Sequence, residues 1–149
     1  MPVSIVAMGA AFNFVNGPLN AIALTHLPFN YPEGWLSGVR LLAGIVIFVA
    51  GFAINIHSDN ILRKLRRPLE TEYKIPRGGL FRWITSPNYF GEILEWSGWA
   101  LATFTLAGIA FAAFTFANLA PRAWAHHKWY RKKFQDYPEN RKSLIPGLF

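Results

Sequence analysis

Cysteine is absent from this chain of 149 residues, which excludes disulfides, a thiol nucleophile and any cysteine-held metal site. Acids are scarce: eight Asp and Glu stand against fifteen Lys and Arg, a net charge of +7. No basic stretch precedes the first oily segment, and Asn13, Asn16 and Asn20 interrupt it, so residues 1 to 25 do not read as a cleaved leader. There is no GxGxxG following a strand and no GxxxxGK[ST], so neither of the common phosphate cradles is available. Internal repeats and low-complexity linkers are missing as well. No nucleic-acid motif accompanies the basic excess, which reads instead as a set of topology signals facing anionic lipid.

What is present is hydrocarbon. Hydrophobic residues make up 52% of the chain and aromatic ones 16%, with a positive mean hydropathy of +0.21, high values for a soluble domain. Several stretches approach the ~20 residues a helix needs to cross a ~30 Å hydrocarbon layer. The pattern predicts an all-α, multi-pass transmembrane bundle of about four spans, from about Val3 to Leu24, Leu36 to Ile56, Asn88 to Phe104 and Leu106 to Ala125. Residues 96 to 120 carry no charge and could be one span. Charge placement argues for two, because basic residues gather between Arg63 and Arg82 and between Arg122 and Lys142, while "THLPFNYPEG" has none. An even number of crossings then puts both basic regions on the cytoplasmic side.

The polar residues inside the oily segments carry the chemistry. An ionised Asp, Lys or Arg in hydrocarbon costs on the order of 2.5 to 3.5 kcal/mol on insertion scales and faces a cavity, a partner or a pathway. In "NIHSDNILRKLRR" Asn55 and Asp59 are four apart and share a helix face, although Ser58 or Asp59 could simply cap a short following helix that Pro68 ends. In "SPNYFGEILEWSGW" Asn88, Glu92 and Glu95 fall at i, i+4 and i+7. Arg122, His126 and Tyr130 fall at i, i+4 and i+8 of the last span, with Trp129 beside them; an aromatic belt explains the rings but not the shared face of Arg and His. Tyr73 lies in the Arg-rich loop between. Amides and acids on two helices, cations and rings on a third, suit a ligand that is both anionic and hydrogen-bonding, such as a dinucleotide held among helices. The closing "YPENRKSLIPGLF" reads equally as a frayed end or as an apolar tail folded back on the membrane surface.

Together "NIHSDNILRKLRRPLETEYKIPRGGLF", "NYFGEILEWSGWALAT" and "HHKWYRKKFQDYPENRKSLIPGLF" resemble the C-terminal half of the steroid 5-alpha-reductase family. The resemblance covers nearly the whole chain and is densest from Asn55 to Phe149. It implies a membrane enzyme of seven helices that passes a hydride from NADPH to the double bond of a 3-oxo-4-ene steroid or related lipid enone. Matching motifs imply a cofactor-binding set of Asn55, Asp59, Arg66, Tyr73, Asn88, Glu92, Arg122, His126, Tyr130 and Arg141, with no metal. Lys74 stands where close relatives often have Arg.

The resemblance also implies roughly three further helices before the position of Met1, with the Glu and Tyr that hold the steroid's 3-keto group. The chain is therefore expected to be a fragment, a product with a misassigned start, or a gene half with a separate N-terminal partner. The expected location is the bacterial inner membrane or the endoplasmic reticulum, and the expected partners are membrane lipid and a hydrophobic substrate. Two other readings fit the same residues. One is an isoprenylcysteine-type membrane methyltransferase, to which "SPNYFGE" alone is equally suited; the other is a non-catalytic membrane fragment or subunit whose acids and cations pair with each other.

Overall fold

The computed structural model describes residues 3–25, 34, 38–65 and 72–148. They form four helices, α1 (Val3–Thr25), α2 (Val39–Leu65), α3 (Pro87–Thr103) and α4 (Leu106–Lys133), with a short 3-10 turn at Gly79–Arg82. The chain is all-helical, as expected. Of the four, α2 and α4 are long and apolar enough to cross a membrane.

The uncharged stretch does break in two, and for a local reason. Phe104 takes a left-handed conformation, φ 49°, and its N–H closes the last turn of α3 on the carbonyl of Ala100. Thr105 is extended and its Oγ1 accepts the N–H of Gly108, which caps α4. The second helix behaves differently from expectation. Instead of a span ending near Ile56 followed by a capped short helix, α2 runs unbroken to Leu65. No Pro or Gly interrupts residues 52–65, and the Ser58 hydroxyl donates back to the carbonyl of Ile54 at 2.7 Å instead of capping a new start.

Helices α2 and α3 lie antiparallel with their backbones in contact. A Cβ added to Gly44 would stand 2.6 Å from the Ala102 nitrogen, one added to Gly91 2.6 Å from the Asn55 nitrogen, and one added to Gly98 2.7 Å from the Gly44 carbonyl. Gly44 and Gly51 on one helix and Gly91 and Gly98 on the other are each seven apart, so every second turn offers a flat spot to the partner. Small residues at such spacing let helices approach closely where lipid removes the hydrophobic drive between them. At the end of this seam the Asn55 amide donates to the main-chain carbonyl of Asn88 at 3.0 Å.

The tail does not fray. Lys142 N–H donates to the Trp83 carbonyl at 2.8 Å, Thr85 N–H to the Lys142 carbonyl at 2.8 Å and Ser86 N–H to the Ser143 carbonyl at 3.2 Å, a short parallel pairing of residues 83–86 with 142–143. Leu144 is 1% exposed and packs with Ala120 and Ala123 of α4, with Tyr89, Phe90 and Ile93 of α3 against them. The two-residue pairing brings the start of α3, the end of α4 and the C-terminus to one end of the bundle.

Candidate functional site

That end holds a cavity of about 900 Å³. Helix α2 lines it with Asp59, Leu62 and Arg63, the following loop with Tyr73 and Pro76, and the 3-10 turn with Phe81. Thr85 and Ser86 come from the loop just before α3, Asn88 and Tyr89 from its first turn, and His126, Trp129 and Tyr130 from the last turns of α4. The volume lies in the range of ligand sites, 300 to ~1,000 Å³. Its lining offers one carboxylate, one guanidinium, one side-chain amide and several rings.

Each wall has a local cause. Pro87 opens α3, where its missing N–H costs no hydrogen bond, and this leaves Asn88 and Tyr89 in the first turn. Gly78 and Gly79 have φ of 97° and 47°, which lets the loop turn tightly over α2. The Gly79 α-carbon faces His57 of α2, whose Nε2 would lie 2.8 Å from an added Cβ. Aromatic contacts fix the α4 wall: Tyr73 meets Trp129 edge-on at 4.9 Å, Tyr89 lies 5.6 Å from His126, and Tyr130 stacks near Phe134 and Tyr137.

Five of the residues expected to hold a ligand therefore meet in one cavity: Asp59, Tyr73, Asn88, His126 and Tyr130. The others stand elsewhere. Arg66 falls outside the described residues. Asn55 is spent on the seam, because its amide is bonded to the Asn88 backbone. Glu92 and Arg122 sit about one helical turn beyond the lining residues Asn88 and His126; the charges of both Asp59 and Arg122 reach Glu92, and those of all three reach Tyr89. Among the described residues no ion pair joins Glu92 to Arg122; the pair formed is Arg77 with Asp136 at 3.6 Å, on the surface. Arg141 does not reach the cavity either. It is 4% exposed, donates through Nη2 to the Pro76 carbonyl at 2.9 Å and lies over the Tyr137 ring, so it braces the wall from behind.

The cavity also contains residues that sequence reasoning passed over. Arg63 looked like one cation in a basic run, yet it stands one turn from Asp59 on the same face. Thr85 and Ser86 sit in a loop without periodicity, and no pattern marked them. Tyr89 was hidden inside the Asn88 to Glu92 spacing. His127, beside the expected His126, is buried beneath the cavity against Thr85. A second groove of about 540 Å³, walled by Phe116, Ala117, Ala120, Pro121, Trp124 and Ile145, is almost wholly apolar. Among the described residues no group of His, Asp and Glu could hold a metal ion.

An all-helical bundle in which two helices are long and apolar enough to cross a membrane, with a cavity lined by charged, amide and ring side chains at one end, fits a helical membrane protein. The family model described as 3-oxo-5-alpha-steroid 4-dehydrogenase matches residues 1–149, and the chain belongs to that family. It is 51% identical over 149 residues to 3-oxo-5-alpha-steroid 4-dehydrogenase 1 of Macaca fascicularis, all of this chain and 56% of the relative. It is 50% identical over 149 residues to the Homo sapiens type 1 protein, all of this chain and 57% of the relative. To the Homo sapiens type 2 protein it is 47% identical over 148 residues, 99% of this chain and 58% of the relative. The chain thus spans somewhat over half the length of these relatives.

Proposed function

We propose that the chain is the cofactor-holding part of a membrane-embedded, NADPH-dependent reductase acting on the carbon-carbon double bond of a 3-oxo-4-ene steroid or similar lipid enone. What supports the reading is the pairing of family membership with a cavity whose donor set suits a dinucleotide phosphate. NADPH bound there would supply a hydride for the β-carbon of the enone. The chain's own residues bind and orient. Arg63 offers a fixed cation for phosphate, Asp59 an acceptor for ribose hydroxyls, and Asn88 a side-chain amide for the carboxamide. Tyr73, Trp129 and Tyr130 offer ring faces and edges for the flat heterocycles.

Asn55 holds the start of α3 through the Asn88 carbonyl, and the charges of Glu92 and Arg122 lie about one turn beyond the lining. Protonation of the α-carbon and polarisation of the carbonyl need an acid beside the substrate, which none of these residues is assigned here. In this reading the chain crosses the bilayer four times, with the basic loop and the C-terminus on the cytoplasmic side, where NADPH would enter.

The test is binding of NADPH to the purified chain in detergent. Energy transfer from Trp129 to the reduced nicotinamide and a rise in melting temperature are expected, by mass action on the folded state. Arg63→Ala should weaken binding roughly tenfold to a hundredfold, the loss of a charge-assisted phosphate contact. If a saturating concentration of NADPH alters neither signal, the reading is wrong.

A further inference from the structure

Behind the cavity, Thr85 Oγ1 is the centre of a buried polar knot. It lies 2.6 Å from His127 Nδ1, 2.7 Å from the Tyr137 hydroxyl and 3.1 Å from the Lys142 carbonyl. Thr85, His127 and Tyr137 are 4%, 6% and 6% exposed, so water is not a ready substitute for any of these partners. A threonine hydroxyl has one proton to give and two lone pairs to fill. The Lys142 carbonyl can only accept, and it already takes the Thr85 N–H at 2.8 Å. With the imidazole proton on Nδ1, His127 and Tyr137 both donate to the Thr85 hydroxyl; with it on Nε2, the hydroxyl donates to Nδ1 and Tyr137 donates to the hydroxyl. In both arrangements His127 and Tyr137 are completed by the same oxygen.

We infer that Thr85 is a positioning residue and that the C-terminal segment from Tyr137 to Leu144, none of which lines the cavity among the described residues, is the clamp it engages to set the cavity wall. Three observations carry this beyond a packing contact. Thr85 and Pro76 both line the cavity, and both are held from the far side by this segment, Thr85 by Tyr137 and Lys142, Pro76 by Arg141. His127 ties the same hydroxyl to the helix that presents His126 and Tyr130 to the cavity. Leu144, inserted between α3 and α4, sets the height at which the segment sits. The residues before α3, the end of α4 and the C-terminal segment therefore meet at the Thr85 hydroxyl, with Arg141 and Leu144 bracing the same segment on either side.

The inference rests on the NADPH reading only for its ligand, and the experiment separates the two. Thr85→Val keeps the shape, removes the oxygen and takes a hydrogen-bond partner from both His127 Nδ1 and the Tyr137 hydroxyl. Thr85→Ser restores the oxygen. In the full 149-residue chain in detergent, Thr85→Val should weaken NADPH binding at least about tenfold, and Thr85→Ser should return it to within about threefold of the unchanged protein. Amide exchange of the ligand-free chain should rise at residues 84–86 and 141–144 in Thr85→Val, and stay unchanged along α2. Nitrogen-15 shifts of His127 Nδ1 should move between the unchanged protein and Thr85→Val, and return in Thr85→Ser. Should Thr85→Val not fold, Tyr137→Phe, which removes one donor and keeps the ring, must move affinity and exchange in the same direction by less. Normal affinity and exchange in the variants, or no rescue by serine, overturns the inference. If the unchanged chain binds no NADPH, the proposed function falls, while exchange and the His127 shift still decide the clamp.

Discussion

Helices α2 and α3 meet backbone to backbone, whereas α1 touches α4 through Phe12, stacked at 6.0 Å on both Phe111 and Phe114. The same residue type makes the contrast visible. An added Cβ at Gly44, Gly51, Gly91 or Gly98 would collide with main-chain atoms, but at Gly9 it would meet nothing within 4 Å. Val3, Met8 and Phe14 of α1 are 82%, 69% and 82% exposed. Only the tightly packed region builds the cavity: α2, α3 and α4 line it, and α1 contributes no lining residue. In lipid, where apolar surface gains little by leaving its surroundings, close approach of small residues fixes geometry and loose ring contact does not. The difference separates a rigid, site-bearing scaffold from a helix whose apolar sides are open.

One substitution applied on both sides breaks or keeps this comparison. Gly51→Ala puts a methyl 2.6 Å from the Gly91 carbonyl, a main-chain atom that cannot swing aside. The helices must separate, and the expected loss is about 3 kcal/mol, the upper end of overpacking costs. A fall in melting temperature in detergent and, on the proposed function, loss of NADPH binding would follow together, because Asn55 and Asn88 face each other at the end of the same seam. Unchanged melting would mean that the backbones do not touch.

The next largest effect sharpens the claim that the tail belongs to the scaffold. Leu144→Ala empties a site that is 1% exposed between α3 and α4, which costs ~2 to 3 kcal/mol for a buried leucine that neighbours cannot refill. Unlike the seam variant, it should leave the α2 and α3 amides protected and expose those of residues 83–86 first. Proteolysis after Lys142 at the rate of the unchanged protein would contradict this.

Sequence alone reached the helices and about half of the cavity. Polar side chains in hydrocarbon are conspicuous, so Asp59, Asn88 and His126 stood out because their cost demands a purpose. Arg63 did not, since a cation in a basic run has a sufficient explanation as a topology signal. The Gly44, Gly51, Gly91 and Gly98 spacing is plain in hindsight, but glycine carries neither charge nor a large hydropathy, and periodicity arguments weigh those. Thr85 and Arg141 act through tertiary partners 42 to 65 residues away in the chain. A two-residue pairing such as 83–86 with 142–143 leaves no local signature at all. The end of α2 was misjudged because Ser58 and Asp59 are good cap residues, and only the structure shows the Ser58 hydroxyl turned back to Ile54.

The smallest effect completes the matched pair and has the opposite sign. Gly9→Ala adds the same methyl to a helix interior with open space around it, and the Asn13 amide keeps its bond to the Gly9 carbonyl because only the side chain changes. Alanine restricts the unfolded chain and favours the helix, so α1 gains up to about 1 kcal/mol. Since the ring contacts of α1 with the scaffold among the described residues are those of Phe12, little of that gain should reach the global melting temperature. It should appear instead as slower amide exchange within residues 5–20, with the cavity residues unaffected. A rise in global melting as large as the local gain would show α1 and the scaffold unfolding as one unit, and the contrast between the two regions would not survive it.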